Sequence, residues 1–153
     1  MAKLVPVETF DLVIFGGTGD LAMRKLLPAL YHRDRDGQVT SDSRIIAASR
    51  GALTREEYVA TAEASLREKL KDGDFDEAHW QSFSQRIHYV QADAFEYGEW
   101  GALREILNGF DERIRVASLA TAPSLFGPIA QGLKSNVLIT ARIRLVLDKK
   151  LGR

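Results

Sequence analysis

Short apolar runs alternate along the chain with longer stretches whose apolar residues recur at helical spacing, and this alternation predicts strand–helix–strand units. Residues 12–15, Leu-Val-Ile-Phe, read as a buried strand. Glycines follow, then a helix expected over Asp20 to Asp34 with Leu26, Leu27, Leu30 and Tyr31 on one face. Pro28 falls inside that helix, removes one backbone donor and is expected to kink it. Arg44 to Ser49 is the second strand. Thr54 and Glu57 stand at capping-box spacing and open a helix expected to run to Lys71, ahead of Gly73. A shorter helix is expected from Asp76 to Gln85. Strands three, four and five are Ile87 to Gln91, Ile114 to Leu119 and Arg142 to Leu147, separated by helices near Glu99 to Leu107 and Ser124 to Leu133. Five strands with helical crossovers predict an α/β fold, a doubly wound and mainly parallel sheet with helices on both faces.

The chemistry is concentrated in the first strand–helix turn, Phe15-Gly16-Gly17-Thr18-Gly19-Asp20-Leu21-Ala22. Gly17, Gly19 and Ala22 fit the spacing G-x-G-x-x-A, while Gly16, Gly19 and Ala22 fit G-x-x-G-x-x-A, and both remain open. In either register the glycines form the turn and let a pyrophosphate approach the backbone, as in Rossmann-like folds. The helix that follows offers unpaired N–H groups and the positive end of its dipole. The context sharpens a motif that is weak alone, because it follows the first strand and opens the first helix. At the end of strand two, where NAD-preferring domains place an acid for the ribose hydroxyls, the chain has Ser49-Arg50-Gly51. A guanidinium there suits the 2′-phosphate of NADP, since its planar fork of donors matches phosphate oxygens. Thr18 can add a hydroxyl donor.

Composition narrows the picture further. The 153 residues carry 21 Lys plus Arg and 21 Asp plus Glu, so no net field draws the chain to nucleic acid or an anionic membrane. With no cysteine, disulfides, thiolate metal sites and cysteine nucleophiles are excluded. The first residues lack a long apolar stretch of the signal-peptide kind, and no run approaches a membrane span. The expectation is one domain over residues 1–153, located in the cytoplasm.

The run from Gly16 to Tyr31, GGTGDLAMRKLLPALY, resembles the N-terminal signature of glucose-6-phosphate dehydrogenases. Arg44 to Thr54 resembles that family's second strand with its phosphate-binding arginine, and Leu119 to Gly127 its proline turn after the fourth strand. Leu145 to Arg153 resembles the V-x-E-K-P-x-G-R segment after the fifth. The resemblance implies an enzyme that oxidises glucose 6-phosphate at C1, passing hydride to NADP and forming 6-phosphogluconolactone. It implies cofactor contacts at Gly16, Gly17, Thr18, Gly19, Asp20, Leu21, Ala22, Arg50, Asp93, Ala94 and Lys149, the last where cofactor and sugar phosphate meet.

The chain also departs from that pattern. Lys150 stands where the family has proline, and Ser118 where strand four often carries an aromatic. The family's R-x-D-H-Y-x-G-K motif, which supplies the catalytic histidine, is absent, and so is its substrate domain. None of His32, His79 and His88 is expected at the ligand edge of the sheet. The resemblance therefore implies a chain that binds NADP(H), takes a sugar phosphate only together with the missing domain, and carries no catalytic residue of its own. Polar Ser118 and Lys150, with Arg142 and Arg144 on an expected edge strand, suggest a cofactor domain whose exposed apolar surface has been blunted for life alone. The alternative is a free-standing or engineered NADP-binding module without turnover. A small self-sufficient reductase with a Tyr-x-x-x-Lys pair is disfavoured, because no tyrosine has a lysine four residues on.

Overall fold

A computed structural model describes residues 8–71 and 73–147. Its strands are β1 (Phe10–Phe15), β2 (Arg44–Ser49), β3 (Ile87–Gln91), β4 (Ile114–Leu119) and β5 (Ile143–Leu147). They form one sheet in the order β3-β2-β1-β4-β5, with every neighbouring pair parallel. This is the doubly wound arrangement expected from the sequence, with the central strands β1, β2 and β4 largely covered on both faces.

Alternation along the strands divides the interior in two. Leu12, Ile14, Ile45, Ala47 and Ile87 face one side. They pack there against α1 (Leu27–Arg35), α2 (Arg55–Lys69) and α3 (Glu77–Ser84), with Leu27, Tyr31, Tyr58, Leu66, Trp80 and Phe83 buried. Val13, Phe15, Ile46, Ala48, Ala117 and Leu119 face the other side, against α4 (Gly101–Leu107) and α5 (Phe126–Ser135). Trp100 lies fully buried in this second core, its ring 5.3 Å from that of Phe15. A Cβ on Gly132 of α5 would come within 2.5 Å of the indole, so glycine is what lets α5 seat against it.

Local signals account for most element boundaries. The capping box forms: Thr54 Oγ1 accepts from Glu57 N–H at 3.0 Å, and Glu57 Oε1 accepts from Thr54 N–H at 2.9 Å. Asp76 caps α3 through its carboxylate on His79 N–H at 2.8 Å. In place of a simple kink at Pro28, Ala22–Leu26 form a π-helical stretch in which Leu27 N–H reaches the Ala22 carbonyl. The wider turn lies immediately before the proline, where the missing donor and the ring disturb the regular ladder. Two helices start later than the pattern suggests, because Tyr97–Glu99 and Pro123–Leu125 are 3₁₀ turns.

Charged side chains lock the N-terminal end of the sheet. Asp11, fully buried on β1, accepts from Arg44 Nε and Nη2, each at 2.8 Å, and from Arg113 Nη1 at 3.0 Å. Both guanidinium groups also lie over the Phe110 ring, 4.1 and 4.7 Å from its centroid. Buried Arg115 bonds the Leu138 carbonyl at 2.9 Å and Asp111 at 3.0 Å. The suggested role of Ser118 in blunting exposed surface is not met: it is a buried residue of β4. The actual edge strand β5 leaves Leu145, Val146 and Leu147 about half exposed beside Arg144. Lys150 lies outside the described residues.

Candidate functional site

At the centre of the sheet, β1 continues towards α1 on one face while its neighbour β4 continues towards α5 on the other. Diverging connections open a crevice beyond the C-terminal ends of the strands, where ligands of open α/β sheets bind. A cavity of about 370 Å³ lies there.

The glycine loop forms one wall, and its three glycines differ. Gly16 has φ +82°, and a Cβ would sit 2.5 Å from the Ala120 carbonyl oxygen, so this position makes the tight turn against β4. Gly17 packs against β2, where a Cβ would meet that of Ala47 at 2.7 Å. Gly19 is nearly clear, its nearest obstacle being Gly16 O at 3.3 Å, which leaves its outer side open to a ligand. Ala22 is fully buried below. The left-handed turn thus favours the Gly16–Gly19–Ala22 register. Asp20 and Leu21 begin the helix, whose first N–H groups have no intrahelical acceptor. The Asp20 carboxylate is engaged by Arg24 at 2.8 Å.

Opposite the loop, Arg50 follows directly on β2 and borders the cavity, its guanidinium without a hydrogen bond or ion pair among the described residues. Asp93 and Ala94, just after β3, border it as well. The Asp93 carboxylate accepts Phe95 N–H at 2.9 Å, and its carbonyl accepts Trp100 Nε1–H at 2.8 Å, which shapes the lip. Beneath the glycine loop, the Tyr58 hydroxyl donates to the Gly17 carbonyl at 2.7 Å. Burial pushes that phenol well above the ordinary tyrosine range, with neighbouring Tyr89 adding to the shift, so it stays a neutral donor.

The structure therefore brings Gly16, Thr18, Gly19, Arg50, Asp93 and Ala94 to one cavity, while Gly17, Asp20, Leu21 and Ala22 support it without lining it. Lys149 lies outside the described residues. Sequence reasoning overlooked Ser49, exposed Phe95, and the far wall of Ala120, Thr121, Ala122, Leu125 and Ile129. Listing every residue that directly follows a strand would have found several of them. His32 is exposed, the His79 ring contacts the Tyr31 carbonyl at 3.1 Å, and His88 lies within β3; none borders the cavity. Among the described residues no cluster of three or more His, Cys, Asp or Glu could hold a metal, and no helix is long and apolar enough to cross a membrane.

Residues 13–153 match the family model of the glucose-6-phosphate dehydrogenase NAD-binding domain. The chain belongs to that family. Glucose-6-phosphate 1-dehydrogenase of Rhizobium meliloti (strain 1021) is 45% identical over 152 residues, covering 99% of this chain and 31% of the relative. The Mycolicibacterium smegmatis enzyme of the same name is 43% identical over 97% of this chain and 31% of its own length. A crystal structure of glucose-6-phosphate 1-dehydrogenase from Mycobacterium avium superposes with a TM-score of 0.82 at 28% identity, over 95% of this chain and 30% of that one. A glucose-6-phosphate dehydrogenase solved in complex with its substrate glucose 6-phosphate gives 0.80 at 28% identity, over 99% and 32%. This glucose-6-phosphate dehydrogenase NAD-binding domain thus spans about a third of the length of the relatives it matches.

Proposed function

We propose that the chain binds NADP(H) across the β1/β4 crevice as the cofactor domain of a glucose-6-phosphate dehydrogenase. The observation that carries this reading is the pairing, across one cavity, of an open glycine-loop wall with a guanidinium that has no partner among the described residues. Gly16 to Ala22 would hold the pyrophosphate over the first helix turn. Arg50 would take the 2′-phosphate, and Thr18, on the facing glycine-loop wall of the same cavity, would add a hydroxyl. Asp93 and Ala94 would border the adenosine half, and Lys149 would reach the junction of cofactor and sugar phosphate. When bound, the nicotinamide accepts hydride.

In the whole enzyme the donor would be C1 of glucose 6-phosphate, and the product 6-phosphogluconolactone. On this reading residues 1–153 form one dinucleotide-binding domain that holds the cofactor but does not turn over alone. No histidine reaches the cavity to take the C1 hydroxyl proton, and a positioned base contributes about 10²–10⁴-fold.

Calorimetric titration with NADP and NAD side by side tests the proposal. NADP should bind at tens of micromolar, about 6 kcal/mol, and more tightly than NAD. No heat at millimolar NADP would refute cofactor binding, and a preference for NAD would refute the role of Arg50. A rate of NADPH formation from glucose 6-phosphate that survives repurification would refute the claim that the chain does not turn over.

A further inference from the structure

Although the Arg50 guanidinium has no partner among the described residues, the backbone that carries it is held. Its neighbours on both sides bond one phenol: Ser49 Oγ lies 2.5 Å from the Tyr89 hydroxyl, which donates to the Gly51 carbonyl, also at 2.5 Å. A phenol has one proton, so with that proton on Gly51 its oxygen accepts from the Ser49 hydroxyl. Gly51 N–H returns to Ser49 Oγ at 3.4 Å, closing a ring of bonds around Arg50. Gln91, two residues along β3 from Tyr89, donates its amide to the Arg50 carbonyl at 2.9 Å.

The same phenol is tied to the glycine loop. Tyr89 stacks on Tyr58 with centroids 5.3 Å apart, and Tyr58 holds the Gly17 carbonyl. Two rings therefore set the distance between the pyrophosphate wall and the Arg50 turn. Without them Gly51, lacking a side chain, would leave the turn many backbone states to lose on binding.

We propose that Tyr89 is a positioning residue for recognition of the cofactor's 2′-phosphate, aiming Arg50 by bonding the residues on either side of it. The proposal rests on the assignment of Arg50 made above. Holding the turn in its binding conformation removes an ordering cost that is otherwise subtracted from affinity. A 2′-hydroxyl offers Arg50 no anion to pair with, so the benefit falls mainly on NADP. A tyrosine that served only the fold would affect both cofactors alike.

The test uses the 153-residue chain as wild type, Tyr89→Phe, Arg50→Ala and the double variant, each titrated calorimetrically with NADP and NAD, with melting temperatures recorded. Tyr89→Phe should weaken NADP roughly 3- to 10-fold, the range of one or two neutral hydrogen bonds, and NAD by less than about twofold. In the Arg50→Ala background it should cost NADP nothing further, since the two residues act as one unit. Ser49→Ala removes one link of the ring and should give a smaller loss with the same selectivity, which keeps the test valid if Tyr89→Phe does not fold. Equal losses for both cofactors, an unchanged NADP affinity, or a full loss persisting without Arg50 would each overturn the proposal. If Arg50→Ala leaves the NADP preference intact, the assignment of Arg50 fails and the role of Tyr89 fails with it. If Arg50→Ala abolishes the preference but Tyr89→Phe does not, only the role of Tyr89 fails.

Discussion

At the N-terminal end of the sheet the charges are paired inside the fold, whereas at the C-terminal end the Arg50 guanidinium has no partner among the described residues. Asp11 collects two arginines there, and Arg115 is buried among carbonyls and Asp111. Arg50, at the opposite end, has a clamped backbone and a guanidinium without a partner among the described residues. Both ends draw on the same residue types. A charge that must be desolvated for stability needs its partner within the fold, while a charge kept for a ligand must go without one. Stability and binding should therefore separate by the end of the sheet that is altered.

The largest expected effect is on stability. Asp11→Asn leaves Arg44 and Arg113 facing a neutral amide, and should cost about 3 kcal/mol in urea unfolding. That is the low end for a broken buried pair, because Arg44 and Arg113 keep part of their surface in water. Nucleotide affinity per folded molecule should hold; a parallel loss of both would show that the two ends are coupled. Arg50→Ala is the inverse experiment. It should remove about 1.5–3 kcal/mol from NADP binding, the worth of hydrogen bonds to a charged group. NAD affinity and the melting temperature should stay put, and a fall in the melting temperature would place Arg50 among the structural charges after all.

Thr54→Ala alters the ligand edge without touching the ligand. Losing the capping box should lower stability by about 1 kcal/mol, with both cofactors bound as before. The smallest effect is one of pH. Burial first, then Arg44 and Arg55, hold the His88 pKa below its ordinary 6.5. The unfolded chain then takes up the proton before the folded one. Stability is fully present above pH 6.5 and declines as pH falls through that value towards the lower folded pKa. His88→Gln should flatten this part of the stability–pH curve; an unchanged slope would assign it to other groups.

How much of this was legible in the sequence depended on the range of the interaction. β2, β3 and β4 match the predicted strands residue for residue, because each is a short apolar-rich run bounded by loop residues. The Thr54–Glu57 cap and the glycine turn were equally readable, since each depends on residues a few positions apart. The start of α4 was missed by two residues, because the 3₁₀ turn at Tyr97–Glu99 shares enough spacing to pass for a first helical turn. Gly16 and Arg50 stood out by their positions after strands, whereas Asp93 came only from the family resemblance. The ring joining Ser49, Tyr89 and Gly51 did not, because it links residues 38 and 40 apart through a strand pairing that exists only once the sheet is ordered. Asp11 and Arg113, 102 residues apart, were hidden for the same reason.

Burial of one tryptophan in each core makes the molecule its own optical gauge. Trp80 reports on the face packed by α1 to α3, while Trp100 reports on the other face and, through its N–H on the Asp93 carbonyl, on the lip of the cavity. In a Trp80→Phe variant the remaining emission comes from an indole one hydrogen bond from the site, so a ligand entering the crevice announces itself without a label. In a Trp100→Phe variant the emission is blind to that lip. Overlaid denaturation curves of the two single-tryptophan chains would reveal whether the two halves of the interior come apart as one unit or in sequence.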